Sequence, residues 1–444
     1  MDRLAREGMA LAMGMAGMNG ANWVYHMVMS RTLAPAGYGG LSALLGALFI
    51  LTVPVTAIQM GVSASVARGG RSATTSSSHP GTISSSVAGA APFSPDMLSG
   101  WLRAFLLLGL AASALVMAFS SPLAGLLRLG SPAPVMVLGT ALVSWVPLPL
   151  VRGMLQGSRR FWTLGRSFLL EGMLRLGLGV LLVSLGLGLN GAVAAISLAS
   201  LGALVVTLRS ARVLSPSGSP SSAAVAPSAP AVQSGEALRW LVPYLLAAAG
   251  MTVLTYADVV FVKTRFPPAD AGIYAAASTG GKIILYATAP LAMVMLPEVV
   301  RRNARDGRSP GVLLRTALYA VGAGGTLLAV YALAPGTVMR VLFGGAYVAG
   351  APLLPLVGLG MLATELALLG IYYHLGAGRT GILRWIVLQA AAFPVALVAL
   401  ARSVQATAAL VVVAGLMALG VVWSSLLLRS GPVRSPQAAG AVES

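Results

Sequence analysis

Twelve stretches of mostly apolar residues divide this chain. They fall at 9–30, 38–66, 100–120, 133–155, 168–188 and 190–209, then at 238–262, 272–297, 311–334, 350–374, 382–401 and 405–428. Their hydrophobicity is nearly continuous. The alternating ten-residue segments of a membrane β-barrel are absent, so the pattern predicts helices of membrane-spanning length. Hydrocarbon leaves helices and closed barrels as the only spanning structures, because unpaired backbone groups there cost several kcal/mol each. The expected fold class is an all-α polytopic membrane protein of twelve transmembrane helices.

Two polar stretches interrupt the pattern. Residues 210–236 are rich in Ser, Pro and Ala and lack apolar periodicity, as a linker does. They leave six spans on each side. The expected division is an N-terminal six-helix bundle (1–209), a linker (210–236), a C-terminal six-helix bundle (237–430) and a tail (431–444). A second low-complexity insert, 69–99, separates the second and third spans and is expected to be disordered. The opening Met1–Glu7 followed by an apolar run resembles a signal peptide. Cleavage is not expected, because that run has a counterpart later in the chain.

Composition agrees with this reading. The 444 residues are 57% hydrophobic and only 9% charged, where soluble domains carry about 25% charged residues. A net charge of +18 in a soluble chain would suggest nucleic acid. Here the basic residues sort by loop. Arg3, Arg6, Arg159, Arg160, Arg166, Arg301, Arg302, Arg305 and Arg308 fall at one set of span ends, and Arg31, Arg128, Lys263, Arg265, Arg340 and Arg402 at the other. The richer set is expected on the cytoplasmic side. That puts both termini, the insert and the linker in the cytoplasm of a cell (plasma or inner) membrane. Membrane lipid, not nucleic acid, is then the partner of the loop arginines.

Enzyme chemistry finds no support. The chain has no cysteine and three scattered histidines, His26, His79 and His374, so no thiolate or histidine metal cluster and no cofactor is expected. There is no G-x-S-x-G, no phosphate-binding GKS or GKT loop and no acidic cluster of glycosyltransferase type.

The two halves echo each other. With His26 set on Asp258, Met29-Ser30-Arg31-Thr32 falls on Phe261-Val262-Lys263-Thr264 and Pro35 on Pro267. After three extra residues in the second copy, Ala36-Gly37 meets Ala271-Gly272, with Tyr38 and Tyr274 close behind, and Pro54 later meets Pro290. Both copies open a half and run in the same direction. This is the mark of parallel repeats related by a pseudo-two-fold axis along the membrane normal.

Four patches carry a family resemblance. They are Leu33–Gly39, Asp258–Pro297, Phe343–Tyr347 with Ala351–Leu354, and Tyr372–Arg379. Through them, in order over nearly the whole chain, the sequence resembles the oligosaccharide (O-antigen type) flippases of polysaccharide biosynthesis, in the MATE-like MOP exporter superfamily. The 69–99 insert, the long linker and the lack of a match for Gly39 after Tyr274 depart from that pattern. The resemblance implies two six-helix bundles facing each other across a central cavity. It also implies transfer of a lipid-diphosphate-linked oligosaccharide from the inner to the outer leaflet of the cell envelope membrane. A glycan polymerase or glycosyltransferases of the same pathway are the partners it implies. The alternatives are a small-molecule exporter coupled to protons or sodium and, less favoured, a membrane-embedded glycan polymerase, which would need a larger outer loop.

Ionisable residues inside the spans each cost about 2.5–3.5 kcal/mol on insertion scales, so each needs a reason. Lys282, Arg175 and Arg31 are the candidate cations for an anionic head group. Asp258 is a coupling site or the partner of Lys282 or Lys263. Glu171 stands four residues before Arg175, the favourable order for a helical pair. Glu365 has no charge within a turn and could carry a proton. His26, the counterpart of Asp258, is a further candidate for proton sensing. Arg152 and His374, at span ends, are expected at the interface. Pro54 and Pro290 are candidate hinges.

Overall fold

The computed structural model describes residues 3–53, 55, 59, 62, 95–158, 160–213, 234–306 and 310–428. Most of the 69–99 insert, most of the linker, the tail and Pro54 lie outside them. The first half holds α1 (Arg3–Thr32), α2 (Ala34–Leu51), α3 (Pro95–Ala118), a short α4 (Ser120–Leu126), α5 (Ala133–Trp145), α6 (Pro147–Gly157), α7 (Phe161–Leu182) and α8 (Gly188–Val213). The second half holds α9 (Ser234–Arg265), α10 (Pro268–Asp306), α11 (Pro310–Leu333), a short α12 (Pro335–Leu342), α13 (Leu353–Gly376), α14 (Leu383–Leu400) and α15 (Val404–Leu428), with a 3₁₀ turn at Gly345–Gly350.

Among the described residues, nine stretches are long and apolar enough to cross a membrane. One of them, 161–210, is 50 residues long and folds as the hairpin of α7 and α8. Gly186 and Gly188 turn this hairpin with φ of 85° and 50°, a region that L side chains avoid. Counting both arms, α5 and α6 as one span, and the long α1 and α10 brings the described spans to the twelve expected.

The boundaries differ from expectation where proline intervenes. The fourth span is not one helix: Pro147 has no N–H to offer the preceding turn, and α5 gives way to α6 there. A turn at Thr52 closes α2 at Leu51, and Val53, Val55, Gln59 and Val62 beyond it are again helical; the rest of the expected stretch to 66 lies outside the described residues. By contrast, α10 passes through Pro290 without interruption.

Burial separates central from peripheral helices. Only 17% of the 100–118 stretch and 22% of 310–333 is buried, against 72% of 353–376. Leu107, Leu115, Leu314 and Leu318, all more than half exposed, face outward as lipid contacts require. In the first half α7 packs on α1 and α8, and α8 on α5. In the second, α13 packs on α10, α11 and α15. The halves meet chiefly through α2, which lies against both α9 and α10.

Candidate functional site

The two repeat hairpins, α1–α2 and α9–α10, are tight. Leu33 alone separates α1 from α2, and Phe266-Pro267 separate α9 from α10. Their loop ends press together across the halves. Gly272 lies directly against the Pro35 carbonyl, and a Cβ on Gly39 would come within 2.9 Å of the Gly272 nitrogen. No side chain fits between these backbones, which is why glycine occupies both sides of the contact.

Polar contacts fasten the same end. Arg31 donates to the Val341 carbonyl at 2.6 Å, Ser30 to the Phe343 carbonyl at 3.2 Å and Tyr347 to the Ser30 carbonyl at 2.7 Å. Lys263, the repeat counterpart of Arg31, reaches the Ala36 carbonyl at 3.5 Å. The two equivalent cations thus each reach a carbonyl of the opposite half. Arg31 is exposed and lies outside the cavity described next, although the sequence placed it among the head-group cations.

Away from these loop ends a cavity of about 620 Å³ opens between the halves. Its walls include α1 from Met18 to His26, α2 from Ser42 onward, Trp145 to Arg152, one face of α7, and the middle of α9 and α10. On α1 alone this spans roughly 12 Å at 1.5 Å per residue. Three cations (Arg152, Arg175 and Lys282) and one carboxylate (Glu171) line it, an excess of two positive charges among the described lining residues.

Two charged clusters build opposite walls. In the first half, Glu171 sits between two guanidinium groups. Arg152 approaches its Oε2 at 2.8 Å, and Arg175 approaches Oε1 at 2.8 Å. Arg175 also donates to Asn22 Oδ1 at 2.9 Å, and Arg152 donates to the Ser167 hydroxyl and carbonyl, each at 3.1 Å. All three charged side chains are more than nine-tenths buried. One carboxylate cannot neutralise two guanidinium groups, and Arg175 Nε has no hydrogen-bond partner among the described residues. Arg152, expected at the interface, is instead part of the buried wall.

In the second half, Asp258 Oδ2 accepts hydrogen bonds from Tyr274 at 2.8 Å and Ser278 at 2.9 Å. Lys282 donates to Ser278 at 3.0 Å and lies 3.9 Å from Asp258 Oδ1, an ion pair without a direct hydrogen bond. The ammonium also sits 4.7 Å from the centre of the Tyr256 ring, within cation–π range. The hydroxyls of Tyr256 and Tyr286 bond to each other beside it.

The repeat extends into this chemistry. His26 Nδ1 lies 3.1 Å from the Tyr38 hydroxyl, as Asp258 lies beside Tyr274. One turn further, Ser42 corresponds to Ser278. A turn beyond that, Gly46 stands where the second half has Lys282. Tyr38 continues across the boundary to Thr279 Oγ1 at 3.2 Å. Sequence reasoning missed Tyr274, Ser278, Tyr256 and Arg152, although the Tyr38–Tyr274 register held the signal for the first two.

Glu365 lies elsewhere. It is fully buried on α13, is not among the residues lining the cavity, and has no hydrogen bond to either carboxyl oxygen among the described residues. The Thr288 hydroxyl of α10 is close enough to act on it but donates to the Ile284 carbonyl. His374, in the last turn of α13, is buried within the protein, its Nε2 2.9 Å from the Ser425 hydroxyl. Among the described residues no three His, Asp or Glu side chains gather to hold a metal.

No protein-family model matches the sequence, and no curated protein matches it. Solved structures do match in fold. An inward-facing multidrug resistance MATE family transporter of the MOP superfamily aligns with a TM-score of 0.68 at 15% identity, over 93% of this chain and 96% of that one. The lipid II flippase MurJ in an inward closed conformation aligns at 0.64 and 11% identity, over 92% and 87%. An outward-facing MATE transporter of the same superfamily aligns at 0.58 and 15%, over 96% of each. At these identities the likeness is one of fold. The chain has the MATE-like architecture of twelve helices in two bundles.

Proposed function

We propose that this chain is a membrane exporter that carries a lipid-diphosphate-linked oligosaccharide between leaflets by alternating access. The observation that carries the reading is the cavity between the halves, where Arg152, Arg175 and Lys282 outnumber Glu171 and Asp258, the partner of Lys282, by one charge. A cavity for organic cations needs an acidic excess. This one has a basic excess, which suits a diphosphate held by charge-assisted hydrogen bonds.

The bundles are 1–209 and 237–430, joined through the cytoplasmic 210–236 linker. With the arginine-rich loops and both termini on the cytoplasmic side, the packed loop ends of the two repeat hairpins are the outer gate, and the cavity opens inward. The higher TM-score to the inward-facing than to the outward-facing MATE structure, 0.68 against 0.58, supports that state. Transport requires the Gly39–Gly272 contact and the Arg31 and Lys263 bonds to part while the opposite end closes. Asp258 orients Lys282 through Ser278.

A second reading, a MATE-type small-molecule exporter coupled to protons or sodium, draws support from Glu365. A buried carboxyl group without a partner is costly and is suited to exchanging a proton or cation. The two readings differ in ligand. Purified protein in nanodiscs is expected to bind a short-chain polyprenyl diphosphate saturably and to ignore the corresponding polyprenol and tetraphenylphosphonium. Binding of tetraphenylphosphonium with no binding of the diphosphate would replace the first reading by the second.

A further inference from the structure

We propose that Trp145, Phe49 and Tyr256 form a stacking strip for hexopyranose rings, so that the cavity recognises the sugar of its ligand as well as the anionic head. The inference rests on the lipid-linked glycan reading above. The three rings come from three helices, α5, α2 and α9, and stand in a row. Phe49 lies in the middle, its centre 5.8 Å from Trp145 with 43° between planes and 4.9 Å from Tyr256 with 30° between planes. All three line the cavity and all are only partly buried. Phe49 and Trp145 belong to the first half and Tyr256 to the second. The strip therefore bridges the two halves.

Its surroundings match a sugar. A pyranose has an apolar C–H face, whose slightly positive hydrogens suit the negative face of an aromatic ring, and a rim of hydroxyls that need hydrogen bonds when buried. Neutral amides and hydroxyls, those of Asn19, Gln59, Ser42 and Thr279, share the cavity with the rings. Charge stands at both ends of the strip. Arg152, on the next helix after Trp145, lines the same cavity, and Lys282 lies against Tyr256. A glycan stacked on the strip would leave its diphosphate within the reach of these cations. A flat organic cation would also stack on the rings, but the basic excess of the lining opposes it.

The test compares affinities in nanodiscs for a short-chain polyprenyl diphosphate and for the same lipid carrying one glucose, galactose or N-acetylglucosamine. Wild type is expected to bind at least one glycosylated form roughly fivefold more tightly than the bare diphosphate, the worth of one good ring contact. Phe49→Leu and Trp145→Leu keep an apolar side chain without the flat face. Each should erase that increment and leave affinity for the bare diphosphate within about twofold. Arg175→Ala should weaken bare and glycosylated ligands alike. No increment with any of the three sugars, or an equal loss of both ligands in Phe49→Leu, overturns the strip while the anion-binding reading stands. Binding of none of these ligands overturns both, and wild-type binding of tetraphenylphosphonium that Phe49→Leu abolishes reassigns the strip to organic cations.

Discussion

Lys282 Nζ lies 3.9 Å from Asp258 Oδ1 and donates its 3.0 Å hydrogen bond to Ser278 instead. The carboxylate is spoken for by Tyr274 and Ser278 on its other oxygen. The ammonium is therefore kept in charge balance by Asp258 without being locked to it, and it faces the cavity. The first half repeats the scaffold as His26, Tyr38, Ser42 and Gly46, without the cation. The two hairpins thus share the tyrosine and the serine but differ at two positions, His26 for Asp258 and Gly46 for Lys282.

Lys282→Met should remove the second-half anion contact. A lost charge-assisted hydrogen bond of about 1.5–3 kcal/mol corresponds to roughly tenfold to a hundredfold weaker binding of a polyprenyl diphosphate. Titration in nanodiscs checks this, with unchanged membrane insertion as the control. Affinity equal to wild type would remove Lys282 from the site.

Asp258→Ala should destabilise the fold by about 3–5 kcal/mol, because it leaves a buried ammonium unpaired. The double variant Asp258→Ala with Lys282→Met should regain most of that loss, since no charge is then left without a partner. Thermal unfolding of the four proteins closes the cycle. Additive losses would show that the two groups do not act as a pair.

Gly272→Val should pry the loop ends apart, because a branched side chain would have to occupy the space of the Pro35 carbonyl. The chain has no cysteine, so a single Thr279→Cys probe at the deep end of the cavity reports on access. In the parent the probe should react with a membrane-impermeant maleimide from the N-terminal side of α1 alone. With Gly272→Val it should react from the opposite side. An unchanged labelling pattern would mean that the hairpin contact does not hold the gate.

Glu365→Gln should leave ligand binding and thermal stability at or above wild type, because among the described residues neither carboxyl oxygen has a hydrogen bond to lose and an amide still suits the neighbouring Thr288 hydroxyl. Transport driven by an imposed proton gradient should fall by roughly tenfold or more if this group carries the coupled proton, the size of one lost charge-dependent step. Unaltered gradient dependence in proteoliposomes would exclude Glu365 from coupling.

The helices were legible because lipid imposes a continuous apolar pattern on every span, and the parallel repeat was legible because Pro35/Pro267 and, past a short insertion, Tyr38/Tyr274 line up in order. Glu171 and Arg175 were readable as a pair because four residues make one helical turn. Arg152 was not, since its bond to Glu171 joins two helices and no spacing encodes that. A span end also looks interfacial until Pro147 is seen to start a new helix there. The place of Arg31 outside the described cavity was not readable either. Polar residues recur along α1, and spacing alone does not announce that Asn22 and His26 line the cavity while Arg31 meets the opposite half.

Leaflet transfer by the purified chain tests the central claim most directly. Proteoliposomes would carry a fluorescent polyprenyl diphosphate bearing one sugar, and a membrane-impermeant quencher would report its leaflet. Wild type should move the inner-leaflet pool outward to the quencher, and the double variant Arg175→Ala with Lys282→Met should fall to the rate of empty vesicles while still inserting as wild type does. Equal transfer by wild type and the double variant, or none by either beside active uptake of an organic cation, would contradict the account.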